Sequence, residues 1–577
     1  MNRIFEEMKR IIGCLILLGG SVCSSAFAQG NISNQETSKK KDATFDVMTY
    51  STIWSDIIKN LEAYYVDSID FKKIFTAGIS AMLQELDPYT EFYTEEEQAG
   101  FKTMTTGEYG GIGSIIMQRG DTVCISEPYE GQPAAEVGLR AGDAILSIDG
   151  ESMIKKSTSD VSDKLRGQAG STFRIQVLRP YESTPRFFDI TRRKIILNAV
   201  PYYGWLNDSI AYISIGNFTD KAADEVLNAM HQMRTERAMK GLVLDLRGNG
   251  GGLLNEAVKI VNMFIPKGNI IVETKAKLGQ WNSTYRTTLD PIDTTTPIVV
   301  LVNRGSASAS EILSGVMQDL DRAVIMGERT FGKGLVQSTR NLPYQALLKL
   351  TTSKYYIPSG RCIQAIDYTH RNEDGSVGRI PDSLTHVFRT QAGREVRDGG
   401  GITPDVQKTP QSWSNLTYNL VGHNHIFDYA TRYRATHDSI ASAEKFCITD
   451  EDYADFCLML KEREFSYDRQ SSKKLKELRS IAQLEGYADV TESLLDSLEQ
   501  KLGHNLDGEL KKFKEEITHA INQEIVLRYH FQRGRSQQIL LSDSLVFDAT
   551  ELLNDRVRYD NLLKPQDIIK QGKANKK

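Results

Sequence analysis

The stretch TPIVVLVNRGSASASEILSGVM, residues 296–317, contains in turn an apolar run, a loop of small residues and a helical pattern. Residues 298–302 form a continuous apolar run, which is typical of a strand buried on both faces of a parallel sheet. From about Ala307 through Met317 the sequence predicts a helix, and a short loop of glycine, serine and alanine joins the two. This order predicts an α/β fold with functional residues in loops at the strand ends.

The same alternation extends over residues 194–407. Strands are predicted at SIAYISIGNF (209–218) and GLVLDL (241–246). Each is followed by a predicted helix, DKAADEVLNAMHQMRT (220–235) and LLNEAVKIVNMFI (253–265). Short apolar strands that alternate with helices predict a mainly parallel sheet.

The length and net charge of the chain limit the number of domains and the kinds of partner to be expected. The chain has 577 residues and a formal net charge of −5. This length suffices for about three or four domains. The near balance of charge gives no indication of a nucleic-acid partner.

The N-terminus predicts export. Basic residues precede the apolar stretch Ile11 to Leu18, and the small-residue pattern Ala26-Phe27-Ala28 follows it. We therefore expect residues 1–28 to be a signal peptide. The periplasm is the preferred destination, with secretion to the medium left open. Membrane attachment through a lipidated Cys14 or Cys23 is disfavoured by their positions and neighbours.

The regions before and after the α/β segment differ from it in their residue patterns. Residues 29–43 are polar and unpatterned, which predicts a linker, and residues 44–106 predict an N-terminal helical domain. Residues 408–577 predict a C-terminal helical domain whose amphipathic helices pack internally or form a dimer surface. The four cysteines beyond the signal peptide lack metal-ligand spacing, and pairing of Cys447 with Cys457 stays open.

Residues 107–193 are rich in glycine turns and short strands. The stretch PAAEVGLRAGDAILSIDG (133–150) and the turn Gly110-Gly111-Ile112-Gly113 resemble a PDZ domain. The resemblance implies that this turn binds a C-terminal carboxylate through backbone N–H groups, beside a sheet edge that accepts a peptide strand.

Two loops that follow predicted strands are candidates for a catalytic site. LRGNGGG (246–252) allows close backbone approach, and NRGSASASEIL (303–313) places serines where a helix begins. A serine at such a position suits an acyl-transfer nucleophile, because backbone N–H groups there favour developing negative charge. Serine is also a preferred N-cap, so Ser306, Ser308 and Ser310 could serve as caps and packing residues instead.

A nucleophilic serine needs a base, and no histidine lies in a glycine-rich strand-end motif. Lys333 in GERTFGKG (327–334) is a candidate, because burial between glycines would lower the pKa of its amine. A phosphate-binding P-loop is disfavoured, since Gly334 stands where Ser or Thr is required and a strand pattern follows.

NRGSASASEILSGVMQDLDRAVIMGERTFGKGLVQ (303–337) resembles the signature of the C-terminal processing peptidases, or tail-specific proteases. The motifs LDPYT, LDLRGNGGG, YYIPSGRCIQ and GGGITPD agree, so the resemblance covers about residues 45–406. It implies a crotonase-like α/β protease core preceded by a PDZ domain. It further implies a serine endopeptidase that needs no metal or other cofactor.

Matched by motif, the nucleophile is Ser308 and the general base is Lys333. Gln337 matches a glutamine beside the lysine, and positions i and i+4 of a strand face the same side. The implied oxyanion hole consists of the backbone N–H groups of Ala309 and Gly251.

The resemblance also implies partners. Unfolded or tagged proteins would bind through their C-termini, and a homodimer and a regulatory adaptor are further candidates. Arg166 in KLRGQAG matches a position near the contact between PDZ domain and protease, where it could bind substrate, although a solvated arginine fits equally well. The alternative function is a non-catalytic PDZ scaffold, which would not need Ser308, Lys333 and Gln337 together.

Overall fold

The computed structural model describes residues 33–372, 376–409, 412–467, 470–502 and 505–565. Over the described residues, the chain forms two compact units that divide between Ile79 and Ser80. The predicted signal peptide lies outside the described residues. None of the described helices is both long and apolar enough to cross a membrane.

The first unit is helical. Helix α1 spans Ser33–Tyr64 and α2 spans Phe71–Gln84. Inside this unit, the Trp54 and Phe75 rings lie edge to face, with their centroids 6.4 Å apart. Residues 33–43, which the sequence predicts as part of a linker, are helical, because the lysines, glutamate and alanine there are good helix formers; the linker itself stays a prediction. Residues 29–32 are not among those described.

A six-stranded sheet forms the centre of the α/β core. Its strands are β10 (Tyr202–Trp205), β11 (Ile210–Ser214), β12 (Gly241–Asp245), β15 (Ile298–Val302), β16 (Val324–Gly327) and β23 (Val406–Gln407), in that spatial order. Only the β10–β11 pair is antiparallel. The prediction of an α/β fold with a mainly parallel sheet is confirmed.

Different segments of the chain cover the two faces of this sheet. Helices α6 (Ala222–Glu236), α7 (Leu254–Asn262) and α8 (Ala309–Asp319) pack on one face. Helix α16 (Ser544–Asn554) and helix α17 (Arg556–Leu562) cover the other face. The Tyr559 hydroxyl accepts from Ile298 N–H (2.9 Å) and donates to Ile298 C=O (3.0 Å). The end of the predicted C-terminal helical domain therefore completes the core.

A second, five-stranded sheet and two hairpins complete this region. The sheet contains β1 (Glu91–Tyr93), β13 (Ile270–Ala276), β14 (Ser283–Arg286), β17 (Leu335–Asn341) and β18 (Leu347–Tyr356). The hairpins are β19 (Ile366–Arg371) with β20 (Val377–Arg379), and β21 (Val387–Arg389) with β22 (Glu395–Arg397). Strands β17 and β18 confirm the strand pattern after Lys333.

Residues 107–193 form a small β domain. Its sheet contains β3 (Ser114–Arg119), β4 (Thr122–Pro128), β5 (Ala144–Ile148), β6 (Glu151–Ser152), β7 (Thr172–Leu178) and β8 (Arg186–Thr191), with helices α4 (Pro133–Glu136) and α5 (Thr158–Leu165). Helix α3 (Gln98–Thr106) precedes it, and β2 (Glu108–Gly111) pairs with β9 (Arg193–Ile196) at its base. Strand β3 pairs only with β4 among the described strands, so it is an edge strand.

The remaining helices follow the α/β core in sequence. They are α9 (Asn415–Gly422), α10 (His425–Thr436), α11 (Asp450–Glu462), α12 (Gln470–Leu484), α13 (Ala488–Lys501), α14 (Leu506–Lys512) and α15 (Lys514–Leu540). All of them except α12 and α13 contribute to a separate hydrophobic cluster. They contact the small β domain, where Arg119 pairs with Asp428 of α10. Cys447 and Cys457 are both free thiols, so the pairing left open by the sequence is not formed here.

Leu552→Ala should destabilise the core, because Leu552 is fully buried in the cluster between α16 and the sheet. We expect the free energy of unfolding to fall by about 2–5 kcal/mol. Val557→Ala on α17, where the side chain is 73% exposed, should change it by less than about 0.5 kcal/mol. Denaturant unfolding of both variants checks this, and equal effects would contradict the packing described.

Candidate active site

Ser308 lies at the junction predicted from the sequence, between β15 and α8. Its backbone has φ 56° and ψ −113°, a strained conformation for a residue with a side chain. Ser306 Oγ donates to Leu246 C=O (2.8 Å), and Ser310 Oγ donates to Asn249 C=O (2.9 Å). These two serines are fully buried, whereas Ser308 is partly exposed. Of the three candidates, Ser308 is therefore the one available to a substrate.

The glycine loop after β12 packs directly against Ser308. A Cβ atom on Gly251 would lie 2.8 Å from Ser308 Cβ, so only glycine fits there. Gly251 N–H donates to Asn249 Oδ1 at 2.8 Å, so one of the two predicted oxyanion donors has a partner in this structure. In the described part of the chain, no acceptor takes Ala309 N–H. The loop thus brings Gly251 and Ala309 together, with one donor free.

Lys333 lies between β16 and β17 in a segment that requires its glycines. A Cβ on Gly332 would lie 2.3 Å from Ala365 Cβ, and one on Gly334 would lie 2.8 Å from Gln364 N. The close packing half-buries Lys333. Burial, followed by the positive charge of Lys349, lowers the Lys333 pKa to about 8. About one tenth of the amine is therefore neutral at pH 7, far more than for an ordinary lysine.

The backbone around Lys333 does not resemble a phosphate cradle. Gly332 N–H and Lys333 N–H donate to Glu311, and Gly334 N–H donates to Gln364 Oε1. A phosphate would need such N–H groups to be free. The structure thus agrees with the exclusion of a P-loop.

Tyr89, from the LDPYT motif, lies beneath the lysine amine. Lys333 Nζ lies 4.2 Å from the centroid of the Tyr89 ring. The Tyr368 hydroxyl donates to the Tyr89 hydroxyl at 3.1 Å, and Asp87 Oδ1 accepts from Tyr89 N–H at 2.8 Å. Because an aromatic face attracts a cation, Tyr89 stabilises the protonated form of Lys333 in this position.

Glu311 is a functional candidate that motif reasoning did not single out. Its side chain is fully buried, and burial raises its pKa while the hydrogen bonds that it accepts oppose this rise. Glu311 Oε2 accepts from Ser308 N–H (2.9 Å) and Lys333 N–H (2.8 Å). Glu311 Oε1 accepts from Gly332 N–H (2.7 Å) and from the Thr330 hydroxyl. One carboxyl group thus joins the serine loop to the lysine loop.

Tyr355 makes a second connection between the two loops. Its buried hydroxyl lies 2.7 Å from Lys333 C=O and 3.3 Å from Ser308 C=O. An acidic residue three positions after a serine at a helix start was a readable signal for Glu311. No comparable sequence signal identifies Tyr355, because its partners are brought together only by the fold.

The side chains of the predicted catalytic group, Ser308, Lys333 and Gln337, are not hydrogen-bonded to one another in the described part of the chain. Among the described residues, no hydrogen bond joins Ser308 Oγ to Lys333 Nζ. Gln337 Nε2 donates to Thr351 Oγ1 at 3.2 Å instead of contacting the lysine amine. The backbone connections of the site are therefore formed, whereas the proton-transfer contact is not.

The predicted carboxylate-binding turn lies at the entrance of edge strand β3. Gly110 packs so closely on Gly167 C=O that a Cβ would lie 2.1 Å from it. The carbonyls of Ile112 and Gly113 accept from Ala134 and Tyr129 N–H, both at 2.9 Å. Arg166 is exposed and lies over the Tyr109 ring, 5.2 Å from its centroid, beside this turn. Its position favours neither of the two roles considered for it.

Family models match three segments of the chain. Residues 209–371 match peptidase family S41, residues 124–179 match a PDZ domain, and residues 416–553 match the model described as "Probable PDZ-protease, C-terminal helical domain". These matches confirm the predicted domain types, whereas the domain boundaries remain predictions.

Curated relatives agree with the family models. A carboxy-terminal-processing protease of Bartonella bacilliformis is 34% identical over 319 residues, which cover 55% of this chain and 73% of that protein. A protein of Staphylococcus aureus described as a CtpA-like serine protease is 34% identical over 311 residues, 53% of this chain and 61% of that protein.

Among solved structures, the photosystem II D1 C-terminal processing protease is 29% identical, with a TM-score of 0.35 over 62% of this chain and 86% of that one. The match to the Bartonella protein extends over more than two thirds of its length, and the S41 and PDZ models agree with it. The chain belongs to peptidase family S41, as a serine-type peptidase of the carboxy-terminal-processing group that carries a PDZ domain.

Proposed function

We propose that this protein is an exported endopeptidase that binds substrate C-termini through its PDZ domain and cuts peptide bonds with a Ser308–Lys333 dyad. The observation that carries the proposal is the joint attachment of both loops to Glu311, together with the lowered pKa of Lys333. Export is supported by the sequence of residues 1–28.

The proposed cycle uses groups already at the site. Ser308 Oγ attacks the substrate carbonyl while neutral Lys333 takes the hydroxyl proton. Ala309 N–H donates to the developing oxyanion. Lys333 then returns the proton to the leaving amine, and water hydrolyses the acyl-enzyme by the same steps in reverse. Lys333 must leave the Tyr89 ring to reach Ser308, and Gly251 N–H must leave Asn249 to become the second oxyanion donor.

The PDZ domain supplies the proposed recognition of C-termini. Edge strand β3 can pair with an extended peptide, and in the described part of the domain no acceptor takes the N–H groups of Ile112 and Gly113. Free N–H groups at the end of an open strand suit a terminal carboxylate. A homodimer and a regulatory adaptor remain predictions.

Cleavage of an unfolded reporter with a free apolar C-terminus tests the dyad. Ser308→Ala and Lys333→Met should each lower kcat by roughly three orders of magnitude or more, because both act in one proton-transfer unit. Lys354→Met, at an exposed lysine on β18, serves as the control and should cut like wild type. Unchanged cutting by Ser308→Ala would refute the dyad, whereas tail binding without cutting by wild type would favour the scaffold alternative.

The pH profile tests the state of the base. Because the neutral amine is the active form, kcat/KM should rise about tenfold per pH unit below pH 8 and level off above it. Tyr89→Leu removes an aromatic face that favours the cation but keeps an apolar neighbour. The rise should therefore move to lower pH by about half a unit or more. A rise centred near pH 10.5 in wild type would contradict a buried, lowered lysine.

An amidated reporter tail tests the PDZ step. Amidation removes the terminal charge without changing the cleaved segment, so KM should rise about tenfold or more while kcat stays the same. As a control for overall charge, a second reporter carries its free terminal carboxylate on a peptide branch attached to a lysine side chain, away from the end of the main chain. If the amidated and free tails give equal KM values, recognition of the carboxylate is wrong.

A further inference from the structure

A cavity of about 190 Å³ lies between the PDZ domain and the C-terminal helices. We call it the interdomain cavity. Its PDZ wall comes from the end of β4 and the segment after α4, and its other wall comes from α10 and α15. The lining residues that bear on its chemistry are Glu127, Arg140, Arg434, Arg528 and Phe531. None of these residues belongs to the candidate active site or to the carboxylate-binding turn.

Three arginines from the two domains meet at this cavity. Arg140 of the GLRAGD segment and Arg434 of α10 form no ion pair within the described residues. Arg434 contacts only neutral groups there, the His437 carbonyl (3.0 Å) and the Tyr529 ring (4.6 Å from its centroid). Arg528 is only 3% exposed and pairs with Glu524. Its second terminal nitrogen donates to Phe427 C=O and Thr431 Oγ1, so only its Nε has no hydrogen-bond partner. Arg140 and Arg434, with the Nε of Arg528, therefore offer cationic donors that no acidic residue in the described part of the chain takes.

The electrostatic environment of the interdomain cavity agrees with the presence of these arginine donors. Burial lowers the pKa of Arg140, the positive charges of Arg434 and Arg179 lower it further, and the negative charge of Asp143 partly opposes this. Glu127 is the acidic residue on the described wall, and its burial raises its own pKa while Gln532 donates to its carboxyl group. Like charges on facing surfaces oppose docking of the two domains unless something neutralises them.

The backbone of α15 is distorted at the same place. At Phe531 the helix is interrupted by φ 52° and ψ −160°, and the side chain of this residue lines the cavity. A bulky residue with positive φ is strained and must be held by its surroundings. The cavity is thus part of a built contact between domains.

We propose that the interdomain cavity binds a small multivalent oxyanion of the phosphate or sulfate type, which joins Arg140 of the PDZ domain to Arg434 and Arg528 of the helical domain. Guanidinium groups bind such oxyanions through paired, charge-assisted hydrogen bonds. The volume equals that of about six waters, enough for one such ion and too small for a nucleotide or a peptide. The bound ion would fix the orientation of the PDZ domain.

Titration calorimetry and thermal unfolding of the mature protein with sodium phosphate or sodium sulfate test this site, with sodium chloride at equal ionic strength as the reference. One saturable site and a rise in Tm beyond that given by chloride are expected. Arg140→Gln and Arg434→Gln should each weaken binding about tenfold or more, and the double variant should abolish it. Amide exchange around residues 134–141 and 431–436 should slow when phosphate is added.

Matched variants separate this site from general charge effects. Arg174→Gln and Arg432→Gln remove arginines already paired with Asp189 and Asp455, so phosphate should bind as in wild type. Glu127→Gln should bind phosphate at least as tightly, since it removes a negative group from the wall. Equal responses to phosphate and chloride, unchanged binding in the Arg140 and Arg434 variants, or loss of binding in Glu127→Gln would each overturn the proposal. Binding of glycerol phosphate in preference to inorganic phosphate would overturn a free ion as the occupant.

Discussion

The four hydrogen bonds accepted by the Glu311 carboxyl group are the constraint on which the site depends. Ser308 and Lys333 lie on loops that follow different strands, and neither loop has the regular hydrogen bonding of a helix or a sheet. A fully buried carboxyl group that accepts from both loops keeps them in register with each other. Burial of such a group is costly unless its partners are all in place, so the loops order together or not at all.

The geometry separates what is fixed in this site from what must still move. The backbone positions of Ser308 and Lys333 are held from both sides, by Glu311 and by the Tyr355 hydroxyl. The groups that would act on a substrate are turned toward other partners: Lys333 toward Tyr89, Gln337 toward Thr351, and Gly251 N–H toward Asn249. The arrangement thus combines a backbone frame fixed by hydrogen bonds with side chains and an N–H group whose partners lie outside the Ser308–Lys333 pair.

Much of the fold was readable from sequence, because apolar runs such as 298–302 and turn glycines have local causes. Ser308 and Lys333 could be named from motif resemblance, and the glycines beside Lys333 from the packing that it needs. The orientation of Gln337 and the partner of Gly251 N–H could not be predicted, because a choice between hydrogen-bond partners depends on residues distant in sequence.

The polar pattern of residues 33–43 suggested a linker, although polar residues with high helix propensity also extend a helix. The packing of α16 and α17 on the sheet was missed because an amphipathic pattern does not identify the surface that it will cover.

That packing has a consequence for the order in which the molecule can be completed. The strands of the central sheet end at Gln407, yet one face of the sheet is covered by residues that follow it by more than a hundred positions. During synthesis from the N-terminus, the sheet must keep an apolar face open until Ser544–Leu562 has emerged. A partly made chain that already contains the Ser308 and Lys333 loops therefore lacks the finished core until the Ser544–Leu562 segment has been made.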